Sequence, residues 1–135
     1  MSEKSFQIDI VTPNKLLFSG QVERFLAPSV EGYFEVLKNH APLLAALKIG
    51  KMVITQENDK KFFSVNGGFA EVFQNNVIVL AETAESSEEI DTERAESSKE
   101  RALQRLADKS ASIDIDRAKV SLIRALNRLD VAKVK

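Results

Sequence analysis

The first 85 residues alternate apolar and polar positions in short runs, as strands with one buried face do. LLFSGQVERFLAPS predicts two short strands around Ser19-Gly20, and KMVITQENDKKFFSVN predicts a hairpin with a polar turn at Asn58-Asp59. In NGGFAEVFQNNVIVLAETA we predict turns at Asn66-Gly67-Gly68 and Asn75-Asn76, because Asn and Gly tolerate positive φ. Short strands with turns about every ten residues predict a β-sandwich or flattened barrel.

Residues 86–135 change to a helical period. Before ADKSAS at 107–112, the weakest helical stretch, one face carries Ala95, Ala102 and Leu106; after it, apolar residues follow four-three spacing at Ala118, Leu122, Ala125, Leu129 and Ala132. The short connection predicts an antiparallel αα-hairpin, whose alanine-rich seam buries little area. The predicted fold is therefore segregated α+β, with a β-sandwich at 1–85 and a two-helix hairpin at 86–135.

Composition supports this division and excludes several functions. All eight Phe, all five Gly and all three Pro lie at or before Phe73, so the second part has no helix breakers. The 135 residues carry a net charge of -1, which gives no argument for nucleic acid, and acids are interspersed with the basic residues of the helices. With no cysteine, disulfides and thiolate metal sites are excluded. We expect neither a targeting leader in MSEKSFQIDIV nor a membrane span.

The hexads IDTERA and IDIDRA repeat the pattern Ile-Asp-x-acid-Arg-Ala at residues 90–95 and 113–118. An Asp at a helix start accepts hydrogen bonds from the first backbone N–H groups and suits the positive end of the helix dipole. We therefore expect Asp91 and Asp114 to be N-caps, with Ile90 and Ile113 as apolar anchors. Judged alone, either hexad favours capping over a binding site.

Arginine spacing adds a second interpretation for the first hexad. Arg94 and Arg101 share a face of the first helix, and Arg124 and Arg128 share a face of the second with Arg117. Antiparallel packing predicts that Arg94 and Arg101 approach Arg128 and Arg124. Clustered guanidiniums repel unless an anion lies between them, and arginine forks suit polyphosphates. The alternative is a solvated lattice of salt bridges with the neighbouring glutamates, Glu85, Glu88, Glu89, Glu93 and Glu96.

No catalytic or metal-binding constellation stands out. His40 is the only histidine and has no partner for metal or acid–base chemistry. Asn66-Gly67-Gly68-Phe69 lacks the spacing of a phosphate loop or a dinucleotide fingerprint. Glu88-Glu89 are adjacent on a helix end and do not converge as a catalytic pair would. We expect a non-catalytic protein without a metal site.

Taken in order, several segments resemble those of the bacterial ε subunit of F-type (F1Fo) ATP synthases over essentially the whole chain. They are VTPNKLLFSGQVERFLAPSVEGYF, NHAPLLAALKIGKM, VNGGFAEVFQNNVIVLAETAE, IDTERA and RAKVSLIRALNRLDVAKVK. The resemblance implies a non-catalytic subunit of the central stalk. In that family the sandwich binds the γ subunit and rests on the c-ring, coupling the two during proton- or sodium-driven ATP synthesis.

The resemblance also implies regulation by the hairpin. In bacterial members it switches between a form folded down on the sandwich and an extended form that runs along γ into the catalytic head. The extended form meets the β (and α) subunits and blocks ATP hydrolysis. The implied location is peripheral, without membrane insertion, on the cytoplasmic face of the bacterial cell membrane; the stromal face of the chloroplast thylakoid, as for CF(1), is the alternative.

In some relatives ATP binds the folded-down hairpin and favours it. On matching positions the resemblance implies a site for ATP, with Mg²⁺ as an accompanying ion, and no catalytic cofactor; its residues here are Glu85, Ile90, Asp91, Arg94, Ala95, Arg101, Arg124 and Arg128. Asp91 would order the helix start, Glu85 would accept from the adenine amino group, and the arginines would hold phosphates. The second hexad is not part of this motif.

One departure and one alternative remain at this point. Many relatives have Pro-Gly-His-Ala-Pro where this chain has Lys38-Asn39-His40-Ala41-Pro42, and Asn replaces Gly at a positive-φ turn. We expect this departure to leave the fold intact and to change details of the stalk or ring contact near this loop. The alternative function is a free-standing ATP-sensing protein without a rotor partner.

Overall fold

The computed structural model describes residues 3–108 and 114–133. The predicted interhelical stretch 107–112 lies mostly outside these ranges, and so does Ile113 of the second hexad. Within them the chain forms eight strands, one short 3-10 turn at Ser87–Glu89, and two helices. The strands are β1 (Phe6–Val11), β2 (Leu16–Val22), β3 (Arg24–Ser29), β4 (Gly32–Val36), β5 (Leu43–Gln56), β6 (Asp59–Phe73), β7 (Asn76–Ala81) and β8 (Ala84–Ser86). The helices are α1 (Thr92–Ala107) and α2 (Ile115–Ala132).

The strands form a continuously hydrogen-bonded sheet in the order β2-β1-β7-β6-β5-β3-β4, with β8 paired to the first half of β6. All pairs are antiparallel except β1 with β7, which is parallel. The sequence prediction of an N-terminal β-sandwich followed by a helical pair is confirmed.

The two central strands are far longer than the short strands expected from the sequence, with 14 residues in β5 and 15 in β6. In β5 the buried side chains lie at odd positions such as Leu47 in the first part and at even positions such as Met52 in the second. In β6 the buried side chains change in the same way, from odd positions such as Val65 to even positions such as Ala70. Because neighbouring strand residues point to opposite faces, such a switch marks a bend. The long pair therefore bends as a unit and serves both layers of the sandwich.

This bend corrects the predicted turn at Asn66-Gly67-Gly68, which lies inside β6 where the strand exchanges β8 for β7 as its partner. Gly67 and Gly68 have φ of +93° and +121°, and a Cβ on Gly68 would lie 2.1 Å from the carbonyl oxygen of Leu80. Glycine is required here because the bent strand passes so close to β7.

Three other turn predictions have mixed outcomes. Ser19-Gly20 is not a turn, because β2 runs through it and the chain breaks at Glu23 instead. The hairpin between β5 and β6 exists, and its turn is at Glu57-Asn58, both with positive φ. The next turn is at Gln74-Asn75, one residue before the predicted pair.

The core between the layers contains buried aliphatic and aromatic side chains from β1 to β7, and the residue of β2 among them is Val22 at its end. Alternation in β1 buries Phe6, Ile8 and Ile10 to 2% exposure or less, as FQIDIV predicts. Phe25 is fully buried and meets Phe34 edge to face, with ring centroids 5.9 Å apart. This contiguous cluster is formed by sandwich residues alone, without a residue of either helix.

The helices begin at the two hexads, and both capping predictions are confirmed. The Asp91 carboxylate accepts from the backbone N–H of Arg94 at 3.0 Å, and Asp114 accepts from Arg117 at 3.0 Å. Across the seam the buried residues are alanines only: Ala95 and Ala102 of α1, Ala118 and Ala125 of α2. Methyl groups let the helix backbones approach closely and leave room for long side chains along the seam.

The hairpin lies folded against the sandwich through a small set of contacts. Ile90, Val131 and Ala132 pack around the half-buried ring of Phe62. The Asn127 carboxamide donates to the carbonyl of Gly50 at 2.8 Å and to the Ser64 hydroxyl at 3.0 Å. These contacts fix where the helices sit, and with them the groove described next.

Candidate functional site

A groove of about 190 Å³ lies along the seam between α1 and α2. Because the seam residues are alanines, the flanking long side chains form its walls. Seven residues line it: Ser98, Arg101, Arg105, Ser121, Arg124, Ala125 and Arg128. Four of the seven are arginines, and the residues lining it include no carboxylate. We call this feature the helical groove.

Donors dominate the helical groove. Guanidinium groups project five N–H donors each in a planar fork that matches phosphate or carboxylate oxygens, and the serines add hydroxyl donors. Arg101 already donates to the Ser98 hydroxyl at 3.1 Å. Four like charges around one small space destabilise each other unless an anion is present. The groove therefore has the chemistry of a site for a phosphate-bearing ligand.

One acid from the sandwich reaches the edge of the helical groove. The Glu85 carboxylate on β8 accepts a short hydrogen bond from Arg128 Nε, and their side chains are only 25% and 23% exposed. This pair connects the groove to the sheet, so occupation of the groove and docking of the hairpin involve the same arginine.

The first hexad supports the groove without lining it. Ile90 is 5% exposed in the Phe62 cluster, Asp91 caps α1, and Ala95 is fully buried in the seam. Arg94 is exposed and is not among the residues that line the groove. The structure thus brings together Arg101, Arg124 and Arg128, with Glu85 at the edge, and leaves Arg94 on the first turn of α1.

Three lining residues were missed by the sequence interpretation: Ser98, Arg105 and Ser121. The signal for two of them was present, since Ser98 precedes Arg101 by three residues and Arg105 follows it by four. Residues three and four apart lie on the same helix face. A spacing of seven groups Arg94 with Arg101 and passes over these nearer neighbours on the same face.

A second feature is an exposed apolar surface on the sandwich. Phe69 and Leu80 pair directly across β6 and β7 and are 55% and 56% exposed. Leu44 on β5, Phe73 on β6 and Ile78 on β7 also face outward. We call these five residues the apolar patch, and the exposed Glu71 lies among them, opposite both Leu44 and Ile78.

The apolar patch continues into a groove of about 490 Å³ beside the β3–β4 turn. Its lining includes Val30, Tyr33, Leu44 and Phe69. Exposed apolar side chains in one contiguous area are typical of protein–protein contacts, whereas single ones are not.

In the part of the chain that the structure describes, no helix has the length and apolar character to cross a membrane.

Comparison with known proteins identifies relatives over the whole length. Residues 5–87 match the family described as ATP synthase, Delta/Epsilon chain, beta-sandwich domain, and residues 88–133 match its long alpha-helix domain. An ATP synthase epsilon chain of Nitratidesulfovibrio vulgaris strain DP4 is 50% identical over 105 residues, covering 78% of each chain. One from Pelotomaculum thermopropionicum is 50% identical over 107 residues, covering 79% of this chain and 80% of its own.

Among solved structures, a chain of the Euglena gracilis mitochondrial ATP synthase (OSCP/F1/c-ring in rotational state 1) superposes with a TM-score of 0.82. It is 20% identical, and the match covers 97% of this chain and 82% of the other. At this identity the likeness concerns the fold, and it extends over both the sandwich and the hairpin.

Proposed function

The chain belongs to the ATP synthase delta/epsilon family, as an epsilon chain and not a catalytic subunit, and from that premise we propose that it couples γ to the c-ring and restrains ATP hydrolysis. The sandwich is the docking part and the hairpin the regulatory part. ATP in the helical groove favours the folded-down hairpin seen here. The observation that carries the regulatory proposal is the convergence of four arginines on a groove whose edge is joined to the sandwich by Glu85.

The apolar patch supports a protein partner for the sandwich. Leaving Phe69, Phe73 and Leu80 each more than half exposed is unfavourable in water, and covering them by γ or the c-ring removes that apolar area from solvent. Both partners belong to the rotor of the synthase. The working location is then the cytoplasmic face of the bacterial cell membrane, where the chain is held by its partners and not by insertion.

The way the hairpin is attached supports the switch. A few contacts hold it down: the Phe62 cluster, the Asn127 hydrogen bonds, the Glu85–Arg128 pair and an exposed Lys15–Glu89 pair of 3.3 Å. None resembles the interlocking core of the sandwich. In the extended form, the arginines of α2 would be free to meet acidic groups of the β and α subunits in the catalytic head.

The helical groove fits the phosphates of ATP by its donor set. Arg101, Arg124 and Arg128 would hold them, and Arg105, Ser98 and Ser121 add donors along the same wall. Ile90, Asp91 and Ala95 would act by fixing the start and the seam of α1, and Mg²⁺ would accompany the phosphates. For Glu85 to accept a hydrogen bond from the adenine amino group, its carboxylate must share or release the hydrogen bond that it accepts from Arg128. Arg94 does not line the helical groove, so its side chain would reach the ligand from the first turn of α1.

Thermal unfolding with and without ATP tests the site. A ligand bound only by the native state stabilises it by RT ln(1 + [L]/Kd), so millimolar ATP should raise the Tm of the helical signal in circular dichroism. The variant Arg124→Gln plus Arg128→Gln should lose that rise. Arg117→Gln plus Lys119→Gln, on exposed positions of α2 outside the groove, makes the same change of charge and should retain it. A Tm insensitive to ATP, or equally sensitive in both double variants, would refute the site.

Truncation separates the two parts. Because β8 extends to Ser86, a chain ending there keeps every strand. It should still bind purified γ, and the assembled enzyme should hydrolyse ATP without the restraint seen with the full chain. Failure of the full chain to bind γ would instead favour the free-standing ATP sensor, and failure of the truncated chain alone would refute the division of labour.

A further inference from the structure

A cavity of about 530 Å³ lies on the sandwich, at an end of the β5–β6 hairpin and away from any helix residue. Its lining contains four cationic side chains, one acid and three uncharged residues: Lys4, Arg24, Lys38, Lys60, Glu23, Leu37, Thr55 and Asn58. We call this the basic pocket. Residues of four separate chain segments form it, so no local sequence pattern reveals it.

Strand register explains why these residues converge. Arg24 on β3 lies opposite Thr55 on β5, and Thr55 lies opposite Lys60 on β6. Residues directly opposite in antiparallel strands project to the same face, so Arg24 and Lys60 flank the Thr55 hydroxyl. Phe25 pairs with Val36, which places Leu37 and Lys38 beside Arg24 as β4 ends. The same end receives Lys4 because Phe6 pairs with Val22.

Arg24, Glu23 and Lys38 of the basic pocket each have a partner among the protein groups. Arg24 pairs with Glu35 at 2.9 Å, through one of its two terminal nitrogens. Glu23 accepts from the backbone N–H of Glu57 at 2.7 Å. The Lys38 ammonium donates to a backbone carbonyl, that of Glu3, which leaves its positive charge uncompensated. Four cations therefore surround one lining carboxylate, in a chain whose overall charge is -1.

We propose that the basic pocket binds a small anion whose charge is carried by phosphate groups. Lysine ammoniums and an arginine fork attract such oxygens, the Thr55 hydroxyl and Asn58 carboxamide add neutral donors, and Leu37 supplies an apolar wall. The four cationic side chains line the same concave space, whereas on an open lysine-rich surface they would face bulk solvent separately. The pocket shares no residue with the helical groove, so this inference stands apart from ATP regulation of the hairpin.

Nuclear magnetic resonance of the full chain, titrated with inorganic pyrophosphate at constant ionic strength, tests the proposal. The backbone amides of Leu37, Thr55 and Asn58 should shift and saturate together. Lys38→Gln plus Lys60→Gln should weaken this binding about tenfold or more. Lys48→Gln plus Lys119→Gln changes the net charge equally at exposed positions outside the pocket, and should leave the affinity unchanged.

Two further arms separate the sources of the signal. In the background Arg124→Gln plus Arg128→Gln, the shifts at the basic pocket should persist, which distinguishes this site from the helical groove. Flotation compares the binding of phosphatidylglycerol vesicles with that of phosphatidylcholine vesicles. If pyrophosphate does not bind, but phosphatidylglycerol vesicles do and this binding depends on Lys38 and Lys60, the phosphate is that of a lipid headgroup. Binding in neither arm, or equal weakening in both lysine double variants, would overturn the proposal.

Discussion

The sandwich and the hairpin of this chain are stabilised by different kinds of side chain. In the sandwich, rings and branched chains such as Phe6, Phe25 and Ile54 are buried to 2% exposure or less. In the hairpin the seam buries alanines, and its larger buried residues, Ile90 and Val131, face the sandwich. A buried Phe or Ile contributes about 1.5–3 kcal/mol, whereas a single methyl contributes about 0.8 kcal/mol.

This difference separates a part of the molecule with a large core from a part held by few contacts. The large core is formed by sandwich residues alone. The hairpin is attached by polar contacts and one small apolar cluster, and helices in proteins gain most of their stability from tertiary packing. The proposed release of the hairpin would therefore break few apolar contacts, and the substitutions below test how separate the two parts are.

The largest effect is expected in the sandwich core. Phe25→Ala removes a fully buried ring and its edge-to-face contact with Phe34, and should lower the free energy of unfolding by about 3–5 kcal/mol. Urea denaturation followed by circular dichroism measures it. Phe73→Ala, at a position 53% exposed, should cost under about 1 kcal/mol. Similar losses in both variants would mean that the core is not centred where the structure places it.

The bend of the long strands should be the next most sensitive point. Gly68→Ala would place a Cβ against the β7 backbone in addition to straining a φ of +121°, and should cost more than about 3 kcal/mol. Gly32→Ala has a similar φ, +118°, with no atom within 4 Å of the added Cβ, and should cost about 1–2 kcal/mol. If the two substitutions have equal cost in urea denaturation, close strand approach is not the reason for glycine at the bend.

A smaller and localised effect is expected for the attachment of the hairpin. Asn127→Ala leaves the buried Ser64 hydroxyl and the Gly50 carbonyl without their donor, costing about 1–2 kcal/mol at the interface only. Hydrogen exchange of the α1 and α2 amides should speed up about tenfold, while that of β1 stays constant. Ile123→Ala on the exposed face of α2 is the matched control. Acceleration in β1 as well would show that the two parts unfold together.

The smallest effects concern ion pairs between the two parts. A double-mutant cycle with Glu85→Gln and Arg128→Gln should give a coupling of about 1 kcal/mol, because both side chains are mostly buried. The same cycle for Lys15 and Glu89, which are 54% and 52% exposed, should give under about 0.5 kcal/mol. Hydrogen exchange of α2 provides the readout. Equal couplings would remove Glu85–Arg128 as a special link between groove and sheet.

The sequence predicted the sandwich well where the decisive interactions are local. Alternation in FQIDIV predicts β1 and its buried face, and both helices lie in the stretch after Phe73 that has no Gly, Pro or Phe. It misplaced Asn66-Gly67-Gly68 because the same residues suit a hairpin turn or a bend. Which of the two forms depends on β7 and β8, whose approach no local pattern encodes.

Prediction of the groove shows a similar limit. Helical spacing grouped Arg101 with Arg124 and Arg128, and the lining residues confirm that grouping. Spacing gives the face of a residue and not its height along the seam. The packing that sets Ser98 to Arg105 beside Ser121 to Arg128 leaves Arg94 beyond the groove, and spacing within one helix does not encode that alignment.

The alanine seam also bears on the free energy of the proposed separation of the helices. Separating α1 from α2 would uncover the buried methyl groups of Ala95, Ala102, Ala118 and Ala125 and the half-buried side chains of Leu106, Leu122 and Leu129. Because four of these positions carry only a methyl group, the apolar area newly exposed to water is smaller than in a seam filled with leucines. Opening such a seam therefore costs less free energy than opening a leucine-filled one.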